Sequence, residues 1–152
     1  MSALSDRPNI LYIHSHDSGR YVQPYGYSVP TPNMQLLADQ GTLFRRAFCA
    51  APTCSGSRAA LLTGQHCHNN GMTGLAHRGW ELNDYGQHLV HPLKKAGYRT
   101  ILVGEQHISK DPGVIGYDEV RRLDSNLAGL VAPSALDAMS NAQEPFFMSI
   151  GF

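Results

Sequence analysis

The chain has few cysteines, no long apolar run and no excess of charge of either sign. Its 152 residues include three cysteines, Cys49, Cys54 and Cys67. Three build no disulfide framework and suit a reducing compartment. No apolar stretch approaches the roughly 20 residues of a membrane span. The opening "MSALSDRPNILYIHSHD" offers only "ILYI" before histidines appear. A secretory leader carries a longer apolar region, so the expected location is cytoplasmic, with no membrane partner. Twelve basic residues balance twelve acidic ones. Zero net charge removes the electrostatic footprint that nucleic-acid binding requires. With 42% hydrophobic residues, the length fits one domain with a real core.

What the chain does have is histidine, eight in all, placed near the ends of predicted elements. "PNILYIHS" reads as a short buried strand ending in polar residues. "TPNMQLLADQG" reads as a helix with Thr31 at its N-cap, Pro32 in the first turn, Leu36 and Leu37 inward and Gly41 as its stop. "SRAALLTG" is a second short helix closed by Gly64. "YGQHLVHPLKKAG" is a third, with Leu89, Val90, Leu93 and Ala96 on one face and Pro92 in its first turn. "YRTILVG" is a strand, "PSALDAMSNA" a helix and "PFFMSIGF" a last strand. Strands alternating with helices predict an α/β domain with a mainly parallel sheet flanked by helices. Ligands in such sheets gather beyond the carboxyl ends of the strands, where Asp17 and His107 are expected. The chain ends in an apolar strand, which leads us to expect a partial domain whose sheet continues further.

The segment "APTCSGSRAALLTGQ" concentrates the chemistry. Cys54 to Ser57 would begin a helix, where unpaired N–H groups and the dipole favour anions and lower a cysteine pKa. Arg58, about one turn on, can hold an oxyanion. The bland alternative is a buried cysteine beside a capping Ser55 or Ser57, at roughly even odds on spacing alone. A thiol phosphatase loop needs five residues between cysteine and arginine; three separate Cys54 from Arg58. A different metal reading comes from "YIHSHDS": His14 and His16 share one face of an extended strand, as at the centres of amidohydrolases or metallo-β-lactamase-like hydrolases. It leaves the cysteine segment unexplained, and His14 reads better as a residue directed into the sheet interior.

"CSGSRAALLTG" resembles the signature of the type I, formylglycine-dependent sulfatases, Cys-x-Pro-Ser-Arg followed by Ala-x-Leu-x-Thr-Gly. "RPNILYIHSHDSGR" resembles the family's first strand, "PTPNMQLLADQGTLFRRAFCAAPTC" the approach to the signature, "AGYRTILVGEQH" the strand ending in Gly-Lys-x-His, and "EPFFMSIGF" the strand after it. "NNGMTGL" resembles the branch that includes heparan N-sulfatase (sulfamidase). The resemblance covers nearly the whole chain in the family's order. It implies an alkaline-phosphatase-like fold, of which residues 1–152 would be the amino-terminal part of the catalytic domain. It implies hydrolysis of sulfuric esters or sulfamates on a sulfated small molecule or sugar. Cys54 would be converted by a formylglycine-generating enzyme, and its aldehyde hydrate would supply the attacking hydroxyl. A divalent metal, calcium first and manganese or another transition metal second, would be held by Asp17 and His16. Arg58 and His107 would support the charged intermediate.

Three residues depart from the family pattern. Gly56 stands for the signature proline and implies a more flexible loop. His16 stands for the first of two paired aspartates, which shifts the site from calcium toward a transition metal. Glu105 stands for a lysine and is expected either to turn from the sulfate or to face a cationic part of the substrate or metal. Such a chain belongs to a divergent subgroup or derives from a decayed gene; retention of Asp17, Cys54, Arg58 and His107 favours the first. Phosphate or phosphonate ester hydrolysis on the same fold, or an inactive remnant, are the alternatives. A full-length version is expected to be active, and the 152-residue chain alone to turn over little. Tyr25, Tyr27 and Trp80 read as packing or rim aromatics, His66, His68 and His77 as loop residues with a minority chance of sugar contact, and Cys49 and Cys67 as small buried residues.

Overall fold

The computed structural model describes residues 7–152. These form two compact units: the chain up to His16 together with Ala50–Phe152, and Asp17–Cys49.

The larger unit is a four-stranded sheet. Its strands are β1 (Ile10–His14), β2 (Arg99–Gly104), β3 (Glu119–Arg121) and β4 (Phe146–Gly151). They lie in the order β1-β4-β2-β3, and every pairing is parallel. All carboxyl ends therefore lie at one edge, as the alternating pattern predicted. The helices of this unit are α2 (Cys54–Thr63), α3 (Cys67–Asn70), α4 (Val90–Lys95) and α5 (Ala128–Asn141); α1 (Pro32–Gln40) belongs to the smaller unit.

The apolar runs of β2 and β4 are explained by cover on both faces. On one face, Ile101 and Val103 of β2 and Phe146, Met148 and Ile150 of β4 pack against Val131, Ala135 and Ala138 of α5. On the other, Phe147 packs with Val90 and Ile115, and Ala59 and Leu62 of α2 pack with Met72, Leu82 and Ile108. The order of the strands corrects the reading of β1 as buried. Among the described residues it lies at the sheet edge with β4 as its one neighbour, and Ile10, Leu11 and Ile13 are exposed.

Other expected elements differ in extent. The third predicted helix divides into a single 3₁₀ turn at Tyr85–Gln87 and α4, in which Pro92 does fall in the first turn. Val90 is buried and Leu93 half-buried, but Leu89 and Ala96, which flank α4 at its two ends, are exposed. α5 starts five residues before Pro133. β3 lies between "YRTILVG" and "PSALDAMSNA", where the sequence predicted no element: it is only three residues long, too short for a periodic signal, and Asp118 ties its start to β2 by accepting from Thr100 N and Oγ1, both at 2.9 Å.

The smaller unit holds a 3₁₀ turn, Gln23–Tyr25, and α1 (Pro32–Gln40). Thr31 is the N-cap, but its hydroxyl accepts from Gln23 N at 3.0 Å instead of capping the helix. Gly41 follows the last helical residue as expected. Leu36 and Leu37 are exposed rather than inward, since α1 buries none of its residues. Cys49 is exposed too, in contrast to the buried position expected for it.

Candidate active site at the carboxyl edge of the sheet

α2 begins at Cys54 itself, three residues before the predicted start. Thr53 is the N-cap and gives no side-chain bond to the helix; the first backbone bond runs from Ser57 N to Thr53 O at 2.9 Å. The N–H groups of the first turn precede that bond, so the helix start presents donors and the positive dipole end. The serines do not cap it. Ser55 is buried and its Oγ accepts from Ala76 N at 3.0 Å, which anchors the loop after α3 to the nucleophile segment.

Gly56 is not a flexible point. It lies buried inside the first helical turn, and its carbonyl accepts from Cys67 Sγ at 3.2 Å. A β-carbon there would stand 3.0 Å from Ala51 Cβ and 3.1 Å from Met72 O. Helical hydrogen bonding and close neighbours fix a residue that the loop reading left mobile.

Three side chains converge at this helix start. Ligand atoms of His16, Cys54 and His107 all lie within 4.8 Å of one another. His16 Nε2 is 2.7 Å from His107 Nδ1, and the two rings meet edge to face. Cys54 is partly exposed, not sealed among aliphatic residues.

His107 is held by its loop. Its φ is +57°, a conformation that costs a non-glycine residue energy and needs support. Support comes from buried Gln106, whose Oε1 accepts from the N–H groups of Ile108 and of Ser109 (3.0 Å), while its amide donates to Ser109 O. Where β2 and β4 end, the strands approach too closely for side chains: a β-carbon on Gly104 would overlap the Gly151 carbonyl, and one on Gly151 the Glu105 carbonyl.

Glu105 turns to His107. Its Oε1 lies 3.3 Å from His107 Nε2 and accepts from Gln106 N at 3.1 Å. Burial pushes the His107 pKa down, partly opposed by Glu105 and reinforced by His16, Arg58 and His77. A neutral His107 with its proton on Nε2, toward Glu105, leaves Nδ1 a lone pair toward His16.

Arg58 extends from α2 to the end of β1. Its Nη1 meets His14 Nδ1, and Nη2 donates to Ser15 O at 3.3 Å. His14 is therefore neither a core residue nor part of the His16 cluster. Burial, and then Arg58, His16 and His107, push its pKa down to about 4, so near neutral pH it accepts from the guanidinium. Tyr12 packs on the same ring at 4.7 Å between centroids.

A cavity of about 700 Å³ opens beside His107, lined among others by His77, Glu105, Lys110, Arg122 and Ser125. His77 lies 6.3 Å from His107 between ring centroids; His66 and His68 are exposed. Trp80 is half-exposed over Gly74, as a rim aromatic would be. Asp17 begins the smaller unit, is exposed, and has φ +52°.

The residues gathered here resemble known proteins in sequence and fold. The sulfatase family model matches residues 8–150. Human N-sulphoglucosamine sulphohydrolase is 31% identical over 95% of this chain and 31% of its own length. An ulvan-active sulfatase from Formosa agariphila is 32% identical over 98% of this chain and 30% of its own length. The chain thus spans about a third of the length of these relatives. Among solved structures, a protein in complex with its substrate D-glucosamine-2-N,6-O-disulfate superposes with a TM-score of 0.78 at 23% identity, covering 95% of this chain and 34% of that one. A 2-O glycosaminoglycan sulfatase superposes at 0.76 with 21% identity, covering 97% and 35%. These likenesses establish the alkaline-phosphatase-like α/β fold.

Proposed function

The chain belongs to the sulfatase family, and we propose that residues 1–152 carry the nucleophile-bearing part of a catalytic domain that hydrolyses sulfuric esters or sulfamates. One observation carries this reading: the start of α2 at Cys54 meets His16 and His107 at the carboxyl edge of a parallel sheet. That is where such a fold receives ligands. The names of the relatives direct the choice of substrate toward N- or O-sulfated sugars, amino sugars first.

Formylglycine, made from Cys54 by a formylglycine-generating enzyme, supplies a hydrated aldehyde whose hydroxyl is the nucleophile. The chain's own residues provide its surroundings. First-turn N–H groups of α2 stabilise negative charge on a tetrahedral sulfate. Arg58, kept in place by His14 and Ser15 O, adds fixed positive charge at the same edge. Glu105 holds the Nε2–H of His107 and so orients the ring, and His107, once protonated on the Nδ1 that faces His16, donates from that atom to a sulfate oxygen or to the departing alcohol or amine. Asp17 remains the proposed carboxylate ligand for a hard cation such as calcium on sequence grounds, directly after His16. The His16–Cys54–His107 set itself offers two nitrogens and a sulfur and does not fit calcium, which takes six to eight oxygens. A cytoplasmic location is part of the same proposal.

Sulfate release from an N- or O-sulfated glucosamine, measured on protein whose Cys54 has been converted, tests the reading. Turnover that disappears in Cys54→Ala supports it. A converted protein that cleaves phosphate esters and leaves sulfate esters intact would replace it with phosphoryl transfer.

A further inference from the structure

The disagreement between calcium and the donor set has a consequence of its own. Two imidazoles and a thiol are ligands for borderline and soft divalent cations, with three protein donors leaving a fourth tetrahedral position open. We infer that, while Cys54 remains a thiol, His16, Cys54 and His107 form a site for one zinc-class divalent cation, with Glu105 orienting His107. The inference stands apart from the sulfate-hydrolysis reading, which concerns the converted residue.

Four observations carry it. The donor atoms fall within 4.8 Å of one another. His16 Nε2 and His107 Nδ1 face each other at 2.7 Å; two nitrogens on one tetrahedral zinc stand about 3.3 Å apart, so the rings need to separate by only about 0.6 Å. The Glu105 carboxylate lies on the far nitrogen of His107. That is the arrangement in which a carboxylate fixes the tautomer and raises the basicity of a metal-bound imidazole. Finally, Cys54 is partly exposed at the start of α2, so a cation can reach its sulfur. The cation replaces the thiol proton, which passes to solvent, and no electron is transferred. Glu105, the least expected residue of the segment beside a sulfate, acquires a specific task on this view. Converting Cys54 replaces the sulfur donor by oxygen, so the metal preference of the site shifts with maturation.

Cobalt(II) is the probe, titrated into the chain after intact-mass measurement shows Cys54 as the thiol. One equivalent is expected to produce a thiolate-to-cobalt charge-transfer band with tetrahedral d–d intensity, displaced by zinc and not by calcium. Cys54→Ser, which retains Cys49 and Cys67, is expected to abolish the band with unchanged far-ultraviolet circular dichroism. Glu105→Gln is expected to keep the band and weaken binding 10- to 100-fold. Absence of the band in the wild-type chain, or its persistence in Cys54→Ser, overturns the site. Sulfate turnover does not enter this titration. Cobalt binding as described, together with a full-length version that never hydrolyses sulfate once converted, would leave the site standing and sink the sulfatase reading.

Discussion

His16 and His107 join two strands that are not neighbours in the sheet: 2.7 Å separates the residue two past the end of β1 from the residue three past the end of β2. β4 runs between those strands. The contact is possible because β4 ends in Gly151, whose missing side chain lets both loops bend across it. The site is thus a product of backbone packing at the sheet edge as much as of the residues that carry the chemistry.

Gly151→Ala tests that dependence. The added methyl overlaps the Glu105 carbonyl and stands 2.7 Å from His14 Cε1. Overpacking of this kind costs about 1–3 kcal/mol. A lower urea midpoint is expected, together with loss of cobalt binding, because the displaced Glu105 carries His107 with it.

Gln106 supports the same loop from within. Replacing it by Leu leaves the Ile108 and Ser109 N–H groups and the Ser109 carbonyl unpaired in a buried place. About 2–3 kcal/mol of stability should be lost by denaturant titration, and metal affinity should fall although no ligand has changed. Retained affinity in a destabilised variant would mean that His107 does not need this support.

Arg58 and His14 are linked in charge. Arg58→Ala removes the second-largest cause of the low His14 pKa, after burial. The His14 imidazole resonances should therefore titrate at higher pH in the variant. In a preparation active on sulfate esters, kcat/KM should fall about 10²- to 10³-fold, as for loss of one oxyanion donor. Arg58→Lys keeps the charge but not the planar fork and should recover only part of that rate.

His88 makes the fold sensitive to acid. It is buried, its Nδ1 accepts from Val90 N at 3.2 Å, and burial and then His91 push its pKa from 6.5 down to about 4. Between those values the unfolded chain binds a proton that the folded one refuses, so stability falls as pH drops below 6.5 and the loss is complete below about 4. Between pH 7 and pH 5 this amounts to about 2 kcal/mol. His14 acts in the same direction. Urea midpoints at the two pH values should diverge less in His88→Gln than in the wild-type chain.

Much of this was legible from residues alone. Regular runs such as "YRTILVG" and "PFFMSIGF" announced β2 and β4, because a strand covered on both faces is apolar throughout. The stop of α2 was legible in Gly64, which takes φ +67°, whereas the start at Cys54 came three residues earlier than the "SRAALLTG" run indicated. Exposure of β1 was hidden, since an edge strand and a central one look alike over five residues. The roles of Gln106 and His14 were hidden for another reason. One depends on a buried amide folding back on its own loop, and the other on an arginine 44 positions away in the sequence. The partnership of Glu105 with His107 was not foreseen, because the two are only two positions apart and nothing in the sequence pairs them. His77 was named among three loop histidines with no signal to separate it from His66 and His68.

Peptide mass spectrometry across residues 51–65 shows whether Cys54 is the seat of the nucleophile. After co-expression with a formylglycine-generating enzyme, the Cys54 peptide should show the mass decrease of a thiol converted to an aldehyde. In a full-length version, sulfate release from N- or O-sulfated glucosamine should then rise in proportion to the converted fraction. Sulfate hydrolysis by protein whose Cys54 remains entirely a thiol, or that survives in Cys54→Ala, would contradict the assignment.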